Sequence, residues 1–256
     1  MIASLGMYDA GPAMAANDRL WAAIRDGLRA RGLPAPEGLT RGEGAYWPAW
    51  ESPDLVLSQT CGYPFRARLH DRVSLIGTPD PGLPGCPPGH YRSVFVARAD
   101  DLRSLADLAA ARFAFNEDLS QSGWAAPVNH LLGMGLKPRP ALRSGGHRLS
   151  ARAVAEGRAD LAALDAVTWA MMQADGDPAA AALREVAETA PTPTLPYIAA
   201  AGTDRDTLFA VVQAAIAGLS AADRNTLHLQ GLVAIPAEAY LAVPSPPPPA
   251  HFQPGI

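Results

Sequence analysis

The length, composition and charge of the chain exclude several classes of protein. Its 256 residues can bury one large hydrophobic core or two smaller ones, and 48% hydrophobic with 18% charged residues is typical of a globular protein. No stretch approaches 18 uninterrupted apolar residues, so we expect no transmembrane segment. The net charge of −4 and the scattered basic residues argue against nucleic acid as a partner, because no basic field would attract its phosphates.

The N-terminal part of the chain alternates between apolar runs and amphipathic stretches. Residues 14–31 are predicted to form a helix because apolar residues between Leu20 and Leu28 recur on one face, with Asn17 near its expected start. The other elements predicted in this part are strands at 2–7, 54–60, 72–79 and 91–99 and a short helix at 64–69.

The rest of the chain continues the alternation. Helices are predicted at 104–110, 123–134, 147–157, 166–173, 204–218 and 221–228, and strands at 112–116, 159–165, 183–189 and 195–202. Strands that alternate with helices of this length predict parallel-type α/β sheets with helices on both faces. The proline-rich C-terminal tail, from about residue 244, is expected to be extended and poorly ordered.

A Pro/Gly-rich loop at 79–90 interrupts this pattern and predicts a division into two lobes. We expect the first lobe to comprise residues 1–92 and 200–256, and the second to comprise residues 93–199. The return to the first lobe is placed near the apolar run "LPYIAAAG".

Polar residues lie at the ends of several predicted strands. Tyr8 comes after the first strand, Thr60 after the run "DLVLSQ", Asn116 after "RFAF" and Asp165 after "DLAAL". Ligands of α/β sheets bind beyond the carboxyl ends of the strands. This convergence is the strongest indication of a binding site.

The segment "FNEDLSQSGW" places small polar residues between a strand and a helix. A turn of Ser120, Gln121, Ser122 and Gly123 at a helix N-terminus offers hydroxyls, backbone N–H groups and the positive end of the helix dipole, which suit an oxyanion. The alternative is that Ser122 simply caps the helix. Pro127 predicts an irregular helix start.

Four other candidates for ligand contact each have a plain alternative. Tyr8 is either a wall of the site or an ordinary aromatic at a strand end, and Thr60 either donates to a ligand or caps the next helix. His147 either binds or senses an anion or is an exposed helix start. Asp165 either contacts the ligand or caps the helix that follows it.

The two cysteines and the N-terminus bear on the compartment. Cys61 and Cys86 lie in Gly/Pro-rich loops about 25 residues apart, either as a disulfide, which favours an oxidising compartment, or as two thiols. The chain starts directly with an apolar strand, without a basic leader or cleavage site. Either it is cytoplasmic, or a signal peptide is missing from this sequence.

Several motifs, in this order along the chain, resemble one family. The segment "YRSVFVARADDLRSLADLAAARFAFNEDLSQSGW" (91–124) is similar to the central signature of the phosphate/phosphite/phosphonate substrate-binding proteins of ABC transporters. The later segments "GRADLAALDAVTW" and "TPTLPYIA" resemble blocks of the same family. The resemblance covers roughly residues 1–236.

The resemblance implies a two-lobe Venus-flytrap fold of the type II periplasmic binding proteins, with the ligand clamped between the lobes. Ser120, Gln121 and Ser122, with Gly123, would hold the phosphoryl oxygens. Tyr91 would line the site from the first lobe, and a ligand-contacting acid would be expected where Asp165 lies. The family loop often reads Ser-Thr-Ser, so Gln121 is a departure that puts a simple phosphonate ligand in doubt.

The family also implies partners and a location. We expect a small anionic ligand, an ABC transporter permease, a periplasmic location and a monomer without cofactor or metal. There is no metal-ligand spacing, nucleophile elbow or P-loop in the sequence, so we predict that the protein is not an enzyme. Two alternatives remain: a ligand-sensing module not coupled to transport, and an enzyme of the same fold that acts on a small carboxylated metabolite.

Overall fold

A computed structural model describes residues 1–252. Its strands are β1 (Ile2–Ser4), β2 (Leu55–Gln59), β3 (Val73–Asp80), β4 (His90–Tyr91), β5 (Ser93–Arg98), β6 (Arg112–Phe115), β7 (Arg139–Arg143), β8 (Leu161–Asp165), β9 (Leu183–Glu188), β10 (Thr192–Pro193), β11 (Tyr197–Ala200) and β12 (Gly231–Val233). Its α-helices are α1 (Ala13–Arg29), α2 (Trp47–Trp50), α3 (Gly62–Pro64), α4 (Leu105–Ala109), α5 (Ala126–Gly133), α6 (His147–Ala155), α7 (Ala166–Ala174), α8 (Pro178–Ala181), α9 (Arg205–Gly218), α10 (Ala221–Leu227) and α11 (Ala237–Leu241). Helical turns of other types cover Gly6–Tyr8, Gly42–Ala45, Phe65–Leu69, Gln121–Ala125 and Pro249–Phe252.

The described chain divides into two compact units. The first unit contains Met1–His90 and Pro193–Ala242, and the second contains Tyr91–Thr192 together with the described residues from Val243 onward. The sequence predicts the changes of lobe at 92/93 and 199/200 and assigns the C-terminal tail to the first lobe. In the structure the tail up to residue 252 packs with the second unit instead.

The first unit is built on a mixed sheet of order β1-β2-β11-β3-β12. β1 and β2 are parallel, whereas β11 is antiparallel to both of its neighbours, β2 and β3. The predicted parallel-type sheet is therefore mixed, because the returning strand β11 enters between β2 and β3 in the opposite direction. Adjacent residues of β3, Leu75 and Ile76, belong to different hydrophobic clusters, so both faces of this sheet are covered.

Helix α1 packs its apolar face into the core of the first unit. Leu20, Trp21 and Ile24 are buried there, as their spacing predicts. The helix begins at Ala13, one residue before the predicted range 14–31 and four residues before Asn17, the alternative start. Asn17 is not a cap; it is buried, and its Nδ2 donates to Asp9 Oδ1 at 3.1 Å.

The second unit is built on a mixed sheet of order β7-β6-β8-β5-β9. β6 is parallel to β7 and β8, while β5 is antiparallel to β8 and β9. The carboxyl ends of β6 and β8 and the start of β5 therefore lie at the same edge of the sheet, where Ser93 pairs with Asp165. This edge carries most of the residues that the sequence singles out.

Within residues 1–252, no single helix is long and apolar enough to cross a membrane. The pair α9 and α10 meets the length and composition criteria only when taken together, and a bend of 114° separates the two helices.

Candidate functional site

The turn that follows β6 is capped by the first of its two serines. Ser120 Oγ accepts a hydrogen bond of 2.9 Å from the Gly123 N–H, the usual geometry of an N-cap residue. Ser122 lies inside the helix start, so the alternative in which Ser122 is the cap is wrong. Its hydroxyl is available for another role.

The helix start is irregular, as Pro127 predicts. Ala125 N–H donates to Ser120 O at 2.9 Å, which is the spacing of a π-type turn, and Gln121–Ala125 form that turn before α5. Single π-type turns occur frequently at functional sites. The N–H of Ser122 has no acceptor among residues 1–252 and lies at the positive end of the helix dipole.

Gly123 is required by its protein neighbours. A Cβ atom at this position would lie 2.7 Å from Asn116 Cγ and 2.9 Å from Ser120 Oγ, closer than real Cβ contacts. The glycine lets the helix start pack against the end of β6. A direct contact of Gly123 with a ligand remains a prediction.

A polar network behind the turn holds Asn116. Ser150 Oγ donates to Asn116 Oδ1 at 3.2 Å and lies 2.6 Å from Ser144 Oγ, and Gly145 N–H donates to the Asn116 carbonyl at 2.9 Å. The sequence pattern indicates Asn116 as a candidate site residue because it lies at the end of a strand. It does not reveal Ser144 and Ser150, because their part in the network depends on the fold.

His147 is the first residue of α6 and binds both the turn and β8. Its Nε2 lies 2.9 Å from Ser122 Oγ, and the Asp165 N–H donates to its Nδ1 at 3.3 Å. Burial lowers the pKa of His147 to about 4, partly offset by the nearby Ala163 carbonyl, so the ring is neutral near pH 7. It is therefore not the exposed helix start of the plain alternative.

Two backbone groups of β8 bear on the tautomer of His147. The Asp165 N–H can only donate, so its bond to Nδ1 favours the ring proton on Nε2, whereas the Ala163 carbonyl, which raises the pKa of the ring, favours the proton on Nδ1. In the Nε2–H tautomer, Nε2 donates to Ser122 Oγ, and the hydroxyl hydrogen of Ser122 is left to donate to another acceptor.

Asp165 caps the helix that follows it. Its Oδ1 accepts from the N–H groups of Val167 at 2.7 Å and Thr168 at 3.1 Å. Asp165 is therefore a helix cap, and a contact between its carboxylate and a ligand stays a prediction.

Opposite Asp165, the Ser93 hydroxyl is 99% buried yet has no hydrogen-bond partner in the described structure. Such an orphaned hydroxyl is uncommon in a folded protein and marks a place where a water or ligand oxygen would be stabilised.

Tyr91 and Gln121 are both buried in the second unit. The sequence predicts Tyr91 in the first lobe, but it is the first residue of the second unit. Gln121 Nε2 lies 3.5 Å from Thr192 Oγ1, a long hydrogen bond. The second unit therefore contains Tyr91, Ser120, Gln121, Ser122, Gly123, His147 and Asp165.

The remaining two candidates lie in the first unit. Thr60 is fully buried, and its Oγ1 has no partner in the described structure. It does not cap the next helix, whose N-cap position is Cys61. Tyr8 ends a helical turn and is half-buried, and its carbonyl accepts from Asn17 Nδ2 at 3.5 Å.

Each unit has a π-type turn after a strand. "SQTCGYP" (58–64) begins with the last two residues of β2 and precedes the turn Phe65–Leu69, whereas "SQSGWAAP" (120–127) follows β6 after a loop and contains the turn Gln121–Ala125. Each segment contains a buried hydroxyl, Thr60 or Ser122, that is not used for capping.

The structure contains no disulfide between the two cysteines. Cys61 is buried and Cys86 is partly exposed, so of the two alternatives the structure has the thiols. Among the described residues, no group of three or more His, Cys, Asp or Glu side chains is arranged to hold a metal ion.

Sequence comparison places most of the chain in one family. The family model described as "ABC transporter, phosphonate, periplasmic substrate-binding protein" matches residues 53–239. A comparison with curated proteins gave no match.

Similar solved structures extend over nearly the whole chain. PhnD1 from Prochlorococcus marinus, in complex with methylphosphonate, has a TM-score of 0.71 at 17% identity and covers 93% of this chain and 94% of its own. A Xanthomonas citri protein bound to a chloride ion has a TM-score of 0.69 at 17% identity, with coverages of 93% and 92%. A binding protein component of an ABC phosphonate transporter from Pseudomonas aeruginosa has a TM-score of 0.63 at 15% identity, with coverages of 91% and 80%. The fold predicted from the resemblance, that of the type II periplasmic binding proteins, is confirmed.

Proposed function

Because the chain belongs to the periplasmic substrate-binding proteins of phosphonate ABC transporters, we propose that it binds a small oxyanion of the phosphonate, phosphite or phosphate type at the Ser120–Gly123 turn. The observation that carries the proposal is the state of Ser122. Ser120 supplies the cap, so the Ser122 hydroxyl is not used for capping. In the Nε2–H tautomer of His147 it accepts from the ring and can donate its own hydrogen to an anion.

The turn attracts the anion through dipoles and hydrogen bonds. The N–H of Ser122 and the hydroxyls of Ser120 and Ser122 are uncharged donors at the positive end of a helix. His147 is neutral near pH 7, because burial lowers its pKa to about 4. Hydrogen bonds from neutral donors to a charged oxygen are short and about twice as strong as bonds between neutral groups.

The other residues of the second unit would shape the rest of the ligand site. The Ser93 hydroxyl, opposite Asp165, supplies a buried polar group for a water or ligand oxygen. Gln121 has an amide that both donates and accepts, unlike the threonine often found there in the family. We therefore include Tyr91, Ser93, Gln121 and Asp165 among the proposed ligand contacts. In the first unit, the Thr60 hydroxyl and the Tyr8 ring remain candidates.

The proposed role is capture for uptake. The family description supports a periplasmic location, a permease partner and binding without turnover. We also propose that the protein acts as a monomer. Methylphosphonate is the first ligand to test, because PhnD1 of Prochlorococcus marinus binds it.

A thermal-shift panel of small anions tests the proposal. Methylphosphonate, phosphite and phosphate are the oxyanions, and chloride and acetate are the controls. Binding at a hundredfold excess over Kd stabilises the folded state by about 2.7 kcal/mol, which raises the melting temperature. Mass spectrometry of the mixtures should recover the anions unchanged. If no oxyanion raises the melting temperature, or if one is converted to a product, the proposal is wrong.

A further inference from the structure

The C-terminal residues 243–252, here called the strap, lie against the helix that begins at the Ser120–Gly123 turn. We propose that the strap positions this turn through Trp124 and so raises its affinity for the anion. The inference rests on the proposed function of the turn. The strap follows α11 of the first unit and packs within the second.

The contacts of the strap are specific. Trp124 Nε1–H donates to the Pro247 carbonyl at 3.2 Å, and Asn129 Nδ2 donates to the Pro244 carbonyl at 2.8 Å. The ring of Phe252 meets the indole of Trp124 edge-on, with the centroids 6.0 Å apart. Two hydrogen bonds and an aromatic contact thus hold the strap against Trp124 and Asn129.

A proline-rich segment is well suited to these contacts. An extended proline-rich chain makes no hydrogen bonds within itself, so its carbonyls are available to the Trp124 and Asn129 donors. Prolines also restrict the undocked chain, which lowers the entropy lost when it docks. This is the physical reason why the expectation of a poorly ordered tail does not hold for residues 244–252.

Trp124 transmits the effect of the strap to the turn. It is fully buried, its ring packs against Phe115, and its backbone N–H donates to the Ser120 carbonyl at 3.1 Å. It lies two residues after Ser122 in the same π-type turn. Without the strap, the buried indole N–H would lose its acceptor, and the indole would be free to reorient toward one, moving the turn with it.

Two variants and one control measure the effect on affinity. Trp124→Phe keeps an aromatic ring but removes the donor to Pro247, and Phe252→Ala removes the aromatic contact at the far end of the strap. Calorimetric titration with methylphosphonate should give affinities about fivefold weaker for both, the equivalent of one hydrogen bond. Ala250→Ser changes an exposed residue of the strap and should match the parent.

A measurement on the unmodified protein tests the coupling without relying on a variant that folds. If the strap strengthens anion binding, the anion must strengthen strap docking by the same factor. Saturating methylphosphonate should therefore slow the exchange of the Trp124 indole proton with solvent, followed by NMR. The resonance is assigned in the parent protein from nuclear Overhauser contacts of the indole with the rings of Phe115 and Phe252.

The possible outcomes separate the two proposals. If both variants melt earlier but bind methylphosphonate as tightly as the parent, the strap only supports the fold and the inference is wrong. An indole exchange rate that is unaffected by the anion contradicts it as well. If the parent itself binds none of methylphosphonate, phosphite and phosphate, the proposed function fails first and the inference fails with it.

Discussion

Ser122 and His147 are joined by a hydrogen bond of 2.9 Å between Oγ and Nε2 that connects two helix starts. His147 begins α6, and Ser122 lies in the first turn after Ser120. The bond fixes the Ser122 side chain, and in the Nε2–H tautomer the histidine is the donor, which leaves the hydroxyl hydrogen of Ser122 to point elsewhere. A site that must recognise an acceptor-only anion benefits from a serine whose acceptor role is already satisfied inside the protein.

Removal of the Ser122 hydroxyl should affect binding more than folding. Ser122→Ala deletes a proposed hydrogen bond to a charged ligand, worth about 1.5–3 kcal/mol, so methylphosphonate affinity should fall roughly ten- to a hundredfold. Calorimetric titration measures this change. Ser220→Ala is the matched control, because Ser220 caps α10 in the first unit and accepts from Asp223 N at 3.0 Å. The control should lose about 1 kcal/mol of stability without loss of affinity. Equal affinity in Ser122→Ala and the parent would contradict the site.

His147 should make folding stability depend on pH below neutrality. Burial lowers its folded-state pKa to about 4, whereas the unfolded chain has the ordinary value near 6.5. Between these pH values the unfolded state binds more protons than the folded state. The contribution of His147 to the stability of the folded state is therefore complete above about pH 6.5 and is lost as the pH falls toward 4. The slope contributed by this one residue is at most about 1.4 kcal/mol per pH unit.

Urea unfolding of the parent and of His147→Gln, at about pH 7 and about pH 5, isolates this contribution. His228 also has a pKa lowered by burial and remains in both proteins, so its effect cancels in the comparison. The stability of the parent should fall more steeply toward low pH than that of the variant. Parallel slopes would mean that His147 titrates normally in the folded protein.

The two cysteines should react as thiols at different rates. Cys61 is only 6% exposed, whereas Cys86 is partly exposed, so a thiol reagent should modify Cys86 first in the native protein. Both should react once the chain is unfolded. Cys86→Ser should leave one slowly reacting thiol. An intact mass lower by two hydrogens, with no thiol detected after unfolding, would show instead that the cysteines are bridged.

Local periodicity predicts the elements of this chain well and their directions poorly. α1 is predicted at 14–31 and observed at Ala13–Arg29, because one helix face carries a continuous apolar stripe. The antiparallel placement of β11 and β5 has no local signature, since a buried strand has the same composition in either direction. The sequence analysis does not predict β7, because Arg139, Pro140 and Arg143 are residues typical of an edge strand and lack the apolar alternation of a strand in the middle of a sheet.

The site shows the same division between local and long-range information. The polar turn after β6 is visible in the sequence, yet the choice between Ser120 and Ser122 as the cap depends on which hydroxyl reaches the Gly123 N–H. The partners of His147 come from two other elements, and the burial of Ser93 depends on its pairing with Asp165. Such contacts are products of the fold, so residue type and spacing alone cannot reveal them.

Two glycines near the ends of one helical segment should respond in opposite ways to the same substitution. Gly123→Ala would place a Cβ 2.7 Å from Asn116 Cγ, at a site where buried neighbours have little room to move. We expect a loss of about 1–3 kcal/mol, as for overpacked core positions. Gly133 ends α5, and a Cβ there would meet no heavy atom within 4 Å. Gly133→Ala should therefore raise stability by roughly 0.4–1 kcal/mol, because alanine restricts the unfolded chain and favours the helix. Urea unfolding of both variants beside the parent measures the two effects. A Gly123→Ala protein as stable as the parent would show that Asn116 and Ser120 do not fix the turn as described.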